Sequence, residues 1–295
     1  MFEGFSEFDI DVQSSPHVGI HGIHGGSGPA LLLIHGFPQT HHMWHLITPH
    51  LVSQFTIVAV DIRGYGASTK LAHSNGHVNY AKSVMARDLK IVMESLGHTK
   101  YYVCAHDRGA RVAHKLCVDY PSNVIKAIFL DICPTLAMYS KTDFEFAKAY
   151  FHWFFLIQPY PFPETMISQN PKLFAKQFMG GRHAGLEAFA PECLAQYFAV
   201  MEQPEAVHAM CEDYRASSTI DMEEARQDIA DGKLIQNPLM VLWGKHGVIE
   251  KCFDALAEWK EVSKSVISGK SVDSGHYIPE EAPGILVESI KTFFV

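Results

Sequence analysis

Tyr101-Tyr102-Val103-Cys104-Ala105-His106-Asp107-Arg108-Gly109-Ala110-Arg111-Val112-Ala113-His114-Lys115-Leu116 is the stretch on which the reading of this 295-residue chain turns. It opens as a β-type run, turns within a few residues, and continues with Ala110, Val112, Ala113, Leu116 and Cys117 spaced for a helix that packs on a sheet. The spacing predicts strand, sharp turn, helix. At the turn, Ala105-His106-Asp107-Arg108-Gly109 places small residues on either side of a nucleophile position, the pattern that lets a strained elbow close against its neighbours. That position holds Asp. A carboxylate attacks carbon to form an ester, so an acid here points to chemistry at an electrophilic carbon and away from acyl transfer. The plainer reading is an Asp that caps the helix starting at Arg108.

Working outward, residues 5–12 and 18–24 read as strands parted by a Ser14-Ser15-Pro16 turn, and residues 30–34 as a strand apolar on both faces. A helix over 43–53, a strand over 56–60 and a helix over 80–96 lead to the elbow strand, and residues 124–130 form the next strand, ending at Asp131. Strands alternating with helices imply an α/β fold, a mostly parallel sheet covered by helices on both faces, with its chemistry beyond the carboxyl ends of the strands. From Cys133 to about Gly232 the alternation stops, and helices are predicted over 144–157, 171–178, 191–200, 204–214 and 222–229. Strands resume over 239–243 and 263–267, followed by a Gly275-His276 turn and a last helix ending at Phe294. The expected organisation is a core over 1–132, an inserted all-helical cap over 133–232, and the remainder of the core over 233–295.

Composition narrows the function. The chain exceeds the ~250 residues at which one core stops growing comfortably, which suits a main domain with an insertion. A formal net charge of -8 disfavours nucleic acid and anionic membrane surfaces as partners, and it requires local cations if the substrate is an anion. The six cysteines are dispersed with no C-x-x-C pair, so neither a zinc site nor a disulfide framework is expected. With no leader-like N-terminus and no apolar run near the ~18 residues that span a bilayer, a cytoplasmic protein is expected.

Asp107, Asp131 and His276 stand in the order nucleophile, acid, histidine, with both acids at strand ends and the histidine in a late turn. Gly244-Lys245-His246-Gly247, after the penultimate strand, offers no alternative acid. Arg108 and Arg111, three residues apart in the first turn of the elbow helix, share a face beside the nucleophile. Two guanidinium forks can hold a carboxylate bidentately and keep Asp107 ionised; the alternative is a salt-bridge network with Asp or Glu.

Taken together, His35-Gly36-Phe37-Pro38, Asp61-Ile62-Arg63-Gly64-Tyr65-Gly66, His106 to Arg111, Leu130-Asp131-Ile132, His152-Trp153, Cys211 to Ala216 and Ser274-Gly275-His276 resemble the fluoroacetate dehalogenases, a haloacetate dehalogenase branch of the α/β-hydrolase superfamily. The resemblance implies an α/β-hydrolase fold and hydrolysis of a short 2-haloacid to the hydroxyacid and halide, with no cofactor or metal. It makes Asp107 the nucleophile, Asp131 and His276 its partners, Arg108 and Arg111 the carboxylate clamp, and His152, Trp153 and Tyr214 the halide donors. The backbone N–H groups of Phe37 and Arg108 become the oxyanion hole, and a homodimer is expected. Imidazole, indole and phenol can each donate to a leaving halide in a dry pocket, although His152-Trp153 read alone suits aromatic packing.

The sequence departs from the family pattern at Ala105, where Gly is commoner, and at Gly180-Gly181, where fluoroacetate-active relatives often carry a pocket Trp. A roomier, wetter site is expected from those glycines, and chloroacetate and bromoacetate turnover ahead of fluoroacetate. Two rivals remain. An epoxide hydrolase shares the Asp ester and would use Tyr150 and Tyr214, but leaves the Arg pair without a purpose. A catalytically silent carboxylate-binding protein of the same fold would need no Asp, Asp, His set.

Overall fold

A run that is apolar at every position is stable only with both faces covered, and residues Ala30–Ile34 meet that condition as β3, buried at all five positions. The computed structural model describes residues 1–72 and 74–295. Around β3 stand β1 (Ser6–Ser14), β2 (His17–Gly26), β4 (Thr56–Val60), β5 (Tyr101–His106), β6 (Val124–Leu130), β7 (Leu239–Gly244) and β8 (Ile267–Val272), in the order β1-β2-β4-β3-β5-β6-β7-β8. Strand β2 runs antiparallel to β1 and β4, and the remaining pairings are parallel.

Register places the site. Ile34 lies opposite Ala105, His106 opposite Leu130, Leu130 opposite Leu242, and Gly244 opposite Val272, so the carboxyl ends of β3, β5, β6, β7 and β8 are nearly level. The loops carrying Phe37, Asp107, Asp131 and His276 therefore leave the sheet along one edge. Helices α1 (Lys82–Ser95) and α2 (Arg108–Asp119) pack together, and α2 buries Ala110, Val112, Ala113, Leu116 and Cys117 as its apolar spacing requires.

Between β6 and β7 the chain is helical: α3 (Thr135–Ser140), α4 (Phe144–Ala149), α5 (Phe151–Leu156), α6 (Phe162–Ser168), α7 (Pro171–Gly180), α8 (Pro191–Met201), α9 (Pro204–Ser218) and α10 (Ile220–Ala230). After β7 come α11 (Val248–Cys252), α12 (Ala255–Lys260), α13 (Ile278–Glu281) and α14 (Pro283–Phe294). No helix among the described residues is long and apolar enough to cross a membrane.

Three elements differ from the sequence expectation. Residues 43–53 form no α-helix but two 3-10 turns, His41–Trp44 and Thr48–His50, because Pro49 lacks an N–H and disfavours helical backbone at Thr48. Buried Met43, Trp44, Ile47 and Leu51 produced the helix-like spacing. The helix expected over 144–157 breaks at Tyr150, whose backbone (φ -109°, ψ 39°) leaves the helical region and turns α5 so that His152 and Trp153 are buried. Strand β8 begins four residues later than expected: as an edge strand pairing only with β7 it needs little apolar surface, while Val266, which drew the assignment, is 75% exposed.

Candidate active site

Asp107 occupies the turn between β5 and α2 with φ 48° and ψ -117°, a left-handed conformation costing an Asp roughly 1–3 kcal/mol, so the surrounding packing must enforce it. Two glycines make the turn fit. A Cβ at Gly109 would stand 2.2 Å from the His35 carbonyl oxygen, and one at Gly36 would stand 2.5 Å from the Asp107 Cβ. Ala105, the commoner-Gly position, is accommodated fully buried. The Phe37 N–H donates to Asp107 Oδ1 at 3.0 Å. His35 holds that loop, donating from Nδ1 to the Gly36 carbonyl at 3.0 Å and accepting from the Ile62 N–H at Nε2, 3.1 Å. The motif at 61–66 is scaffolding of the same kind: Asp61 accepts from the N–H groups of His41 and Ala67, and Arg63 forms a buried two-point ion pair with Asp88.

Asp131 takes a second left-handed turn (φ 51°) at the end of β6. Its Oδ1 accepts the Gly244 N–H at 2.8 Å and its Oδ2 accepts His276 Nδ1 at 2.6 Å. A carboxylate can only accept, so the imidazole proton sits on Nδ1 and Nε2 presents a lone pair toward Asp107 Oδ2, 3.8 Å away. His106, which the sequence reading passed over, donates from Nε2 to the His276 carbonyl at 2.8 Å and fixes the histidine's backbone. Burial, followed by the neighbouring His276, lowers the His106 pKa to about 3, so His106 stays a neutral strut. Burial alone would raise the Asp107 pKa, but His276, His106, Arg111 and Arg108 outweigh it and hold it at about 2. The nucleophile position is ionised at any working pH.

The two arginines of α2 have different surroundings. Arg108 is tied to Asp213 on α9, from Nε to Oδ2 at 2.8 Å and from Nη2 to Oδ1 at 2.9 Å, and it also reaches the Asp213 carbonyl and Ser217. Only its Nη1 has no partner. Of the two arginines expected as a carboxylate clamp, Arg108 is thus largely engaged in a salt bridge, the alternative also open to the pair, with one edge left over. Arg111, 3% exposed, has no ion pair among the described residues. It donates to Thr135 Oγ1 at 2.8 Å, to the Cys133 carbonyl at 3.3 Å and to Met138 Sδ at 3.2 Å, leaves Nε unpartnered, and lies 4.5 Å over the Trp153 ring. A neutral set of acceptors thus holds a buried cation.

The insertion lowers three rings onto this floor. His152 and Trp153 from α5 and Tyr214 from α9 are at most 2% exposed, with His152 and Trp153 ring centroids 5.8 and 6.4 Å from Tyr214. Phe37 touches the same group, 6.1 Å from His152 and 5.4 Å from Tyr214. His152 Nδ1, Trp153 Nε1 and the Tyr214 hydroxyl are all buried without a hydrogen-bond partner. Burial, then the charge of Arg182, pushes the His152 pKa well down, so the ring is neutral and offers one N–H. Three unpaired polar groups in one apolar cluster cost stability unless something binds them. The arrangement can hold an anion.

Tyr150 places its hydroxyl 3.5 Å from His276 Nδ1, and Arg182, in the turn after α7, lies over the Tyr150 and Phe178 rings. In the sequence Tyr150 stood out only as a tyrosine for the epoxide hydrolase rival, and Arg182 carried no signal that distinguished it from other Arg residues. The glycines at 180 and 181 do not open a void in the expected way: a Cβ at Gly180 would meet Leu186 at 3.2 Å, and one at Gly181 would meet the Gln177 carbonyl oxygen at 2.9 Å.

The α/β hydrolase fold model matches residues 29–283 of the chain. A fluoroacetate dehalogenase from Burkholderia sp is 38% identical, covering 99% of this chain and 95% of that protein. A soluble epoxide hydrolase from Corynebacterium sp. (strain C12) is 29% identical, covering 93% of each. Among solved structures, one described as an alpha/beta hydrolase from Nostoc sp PCC 7120 superposes with a TM-score of 0.96 at 46% identity, covering 100% of this chain and 99% of that one.

Proposed function

Since this chain belongs to the α/β-hydrolase family, in its dehalogenase branch, we propose that it hydrolyses short 2-haloacids, converting haloacetate to glycolate and halide through an ester of Asp107. The observation that carries this reading is Arg111, a buried guanidinium hydrogen-bonded only to neutral acceptors and in no salt bridge among the described residues, beside an ionised Asp107. Arg111, with the spare Nη1 of Arg108, takes the substrate carboxylate and aligns C2 with the nucleophile. Asp107 Oδ2 attacks C2 while Oδ1 stays on the Phe37 N–H. The halide leaves toward His152, Trp153 and Tyr214, whose N–H and O–H groups receive its charge as it develops.

Hydrolysis of the ester uses the other half of the site. His276 Nε2, oriented by Asp131, takes a proton from water, and the hydroxide attacks the Asp107 carbonyl carbon. The oxyanion forms on the oxygen that Phe37 already holds, with the Arg108 N–H, the first of α2 and without an intrahelical partner, as the second donor. Collapse expels the glycolate oxygen, which takes the proton from His276, and the new Asp107 carboxyl loses its proton to solvent.

The epoxide hydrolase reading draws on Tyr150 and Tyr214 and on the Corynebacterium relative. It gives Arg111 nothing to bind. Halide release from fluoro-, chloro- and bromoacetate, run beside diol formation from styrene oxide, separates the two: halide is expected and diol is not. Stoichiometric haloacid binding with no turnover would instead favour the silent carboxylate binder.

A further inference from the structure

The catalytic arrangement above leaves one charge unused. Arg182 stacks its guanidinium 4.8 Å from the Tyr150 ring centroid and 4.9 Å from that of Phe178, and among the described residues its side chain has neither a hydrogen bond nor an ion pair. Stacking occupies the faces of the guanidinium and leaves its N–H edges available in the plane. Arg108 and Arg111 are sealed from solvent at 0 and 3% exposure, whereas Arg182 is partly exposed, so it faces solvent and the site at once.

The segment is anchored beside the catalytic histidine. His183 stacks on His246 at 4.1 Å, and its Cβ lies 2.7 Å from where a Cβ on Gly275, the residue before His276, would stand. Tyr277, whose ring lies 5.0 Å from that of His276, is 1% exposed and has an unpartnered hydroxyl. The charge on Arg182 is felt at Tyr150, Tyr277, Asp107 and Asp131. With a chain of net charge -8, a small anion approaching from solvent needs a cation at the point of access.

We propose that Arg182, at the rim of the active site, together with the buried Tyr277 hydroxyl forms an anion subsite that captures the carboxylate of an incoming 2-haloacid before Arg111 receives it. The subsite rests on the haloacid reading for its ligand, and it acts on substrate capture without taking part in bond making. Arg182→Met keeps the stacking stem and removes the charge; Arg182→Lys keeps the charge. Steady-state halide release from chloroacetate, together with calorimetric titration of unreactive acetate, reads the subsite. For Arg182→Met, KM is expected to rise at least ~10-fold with kcat changed less than ~3-fold, and acetate affinity to fall in parallel. Arg182→Lys should recover most of both, and Tyr277→Phe should raise KM by a smaller factor. Unchanged KM and acetate affinity in Arg182→Met, or equal damage from Met and Lys, would overturn the proposal and make Arg182 a packing residue. Should Arg182→Met fail to fold, Arg182→Gln, which also removes the charge, takes its place, and an unchanged KM and acetate affinity in that variant overturns the proposal. Failure of the haloacid reading is a separate result: the wild-type protein would release no halide while the acetate titration still reported on Arg182.

Discussion

Arg108 and Arg111 lie one turn apart on α2 and are buried to nearly the same degree, yet one is neutralised and the other is not. Arg108 meets Asp213, which also receives Lys82, and Lys82 lies 3.2 Å from Asp221 as well, so two cations and two carboxylates close on one another inside the protein. Arg111 meets a hydroxyl, a carbonyl and a thioether. A buried charge with its counter-charge is a structural tie; a buried charge held by neutral acceptors is an unsatisfied demand that a ligand can meet. The same contrast separates Asp131, saturated by Gly244 and His276, from Asp107, which faces His276 across 3.8 Å.

The largest effect should come from the unsaturated side. Asp107→Ala should lose at least ~10^4-fold in haloacid turnover with its thermal transition preserved. In heavy-oxygen water, a single turnover of the wild-type protein should leave label on Asp107 and none in the product, while His276→Ala should accumulate an adduct visible as added mass on the Asp107 peptide. Label in the first-turnover product would place attack on water and break the assignment.

The paired side should answer in stability. Asp213→Asn strands Arg108, leaves Lys82 only Asp221, and should cost about 3–5 kcal/mol in denaturant unfolding. Arg111→Met, by contrast, should cost clearly less, because no salt bridge is broken and only part of the support for ionised Asp107 is lost, while haloacid turnover collapses. Equal stability losses for the two variants would erase the distinction between tie and demand.

Among the anion donors, Trp153→Phe should cost about 2–4 kcal/mol in the barrier, as for loss of one oxyanion-hole donor, and should fall harder on fluoroacetate than on chloroacetate, since fluoride needs its donors most. Losses equal for both substrates would assign Trp153 to packing against Tyr139, 4.9 Å away.

The smallest effect concerns a buried acid away from the site. Glu280 is bonded only to the neutral donors Gln39 and Tyr197, and burial raises its pKa to about 8. The folded state then keeps a proton that the unfolded state has lost above about pH 4.5, so stability should fall as pH rises from about 4.5 to 8 and level off beyond. Thermal unfolding of Glu280→Gln, whose amide oxygen can accept from Gln39 while its amide N–H donates to the Tyr197 hydroxyl oxygen, should show a flatter dependence over that window. An unaltered slope would show that Glu280 is ionised in the folded protein.

Sequence patterning carried β3, β4 and β6 to their observed ends because each is a bounded, largely apolar run buried at most of its positions, and it carried Asp107, Asp131 and His276 because chain order and strand ends constrain a triad strongly. What it could not carry was partnership across the chain. Nothing local to Arg108 reveals that Asp213, 105 residues later, returns to neutralise it. His106 gave no signal beyond standing next to the nucleophile, and Arg182 sits in a stretch noted only for its glycines. Nor does anything local to Gly180 reveal that Leu186, six residues on, folds back over it.

Helix α9 carries Asp213 and Tyr214 side by side, one tied to the floor of the molecule and the other facing the reacting atoms. That adjacency fixes a population as well as a position. Lifting α9 off α2 means parting Arg108 and Lys82 from Asp213, and at about 3–5 kcal/mol such an open form makes up roughly one molecule in 10^2 to 10^4. In all but that small fraction of molecules, Tyr214 is therefore in position before any ligand arrives.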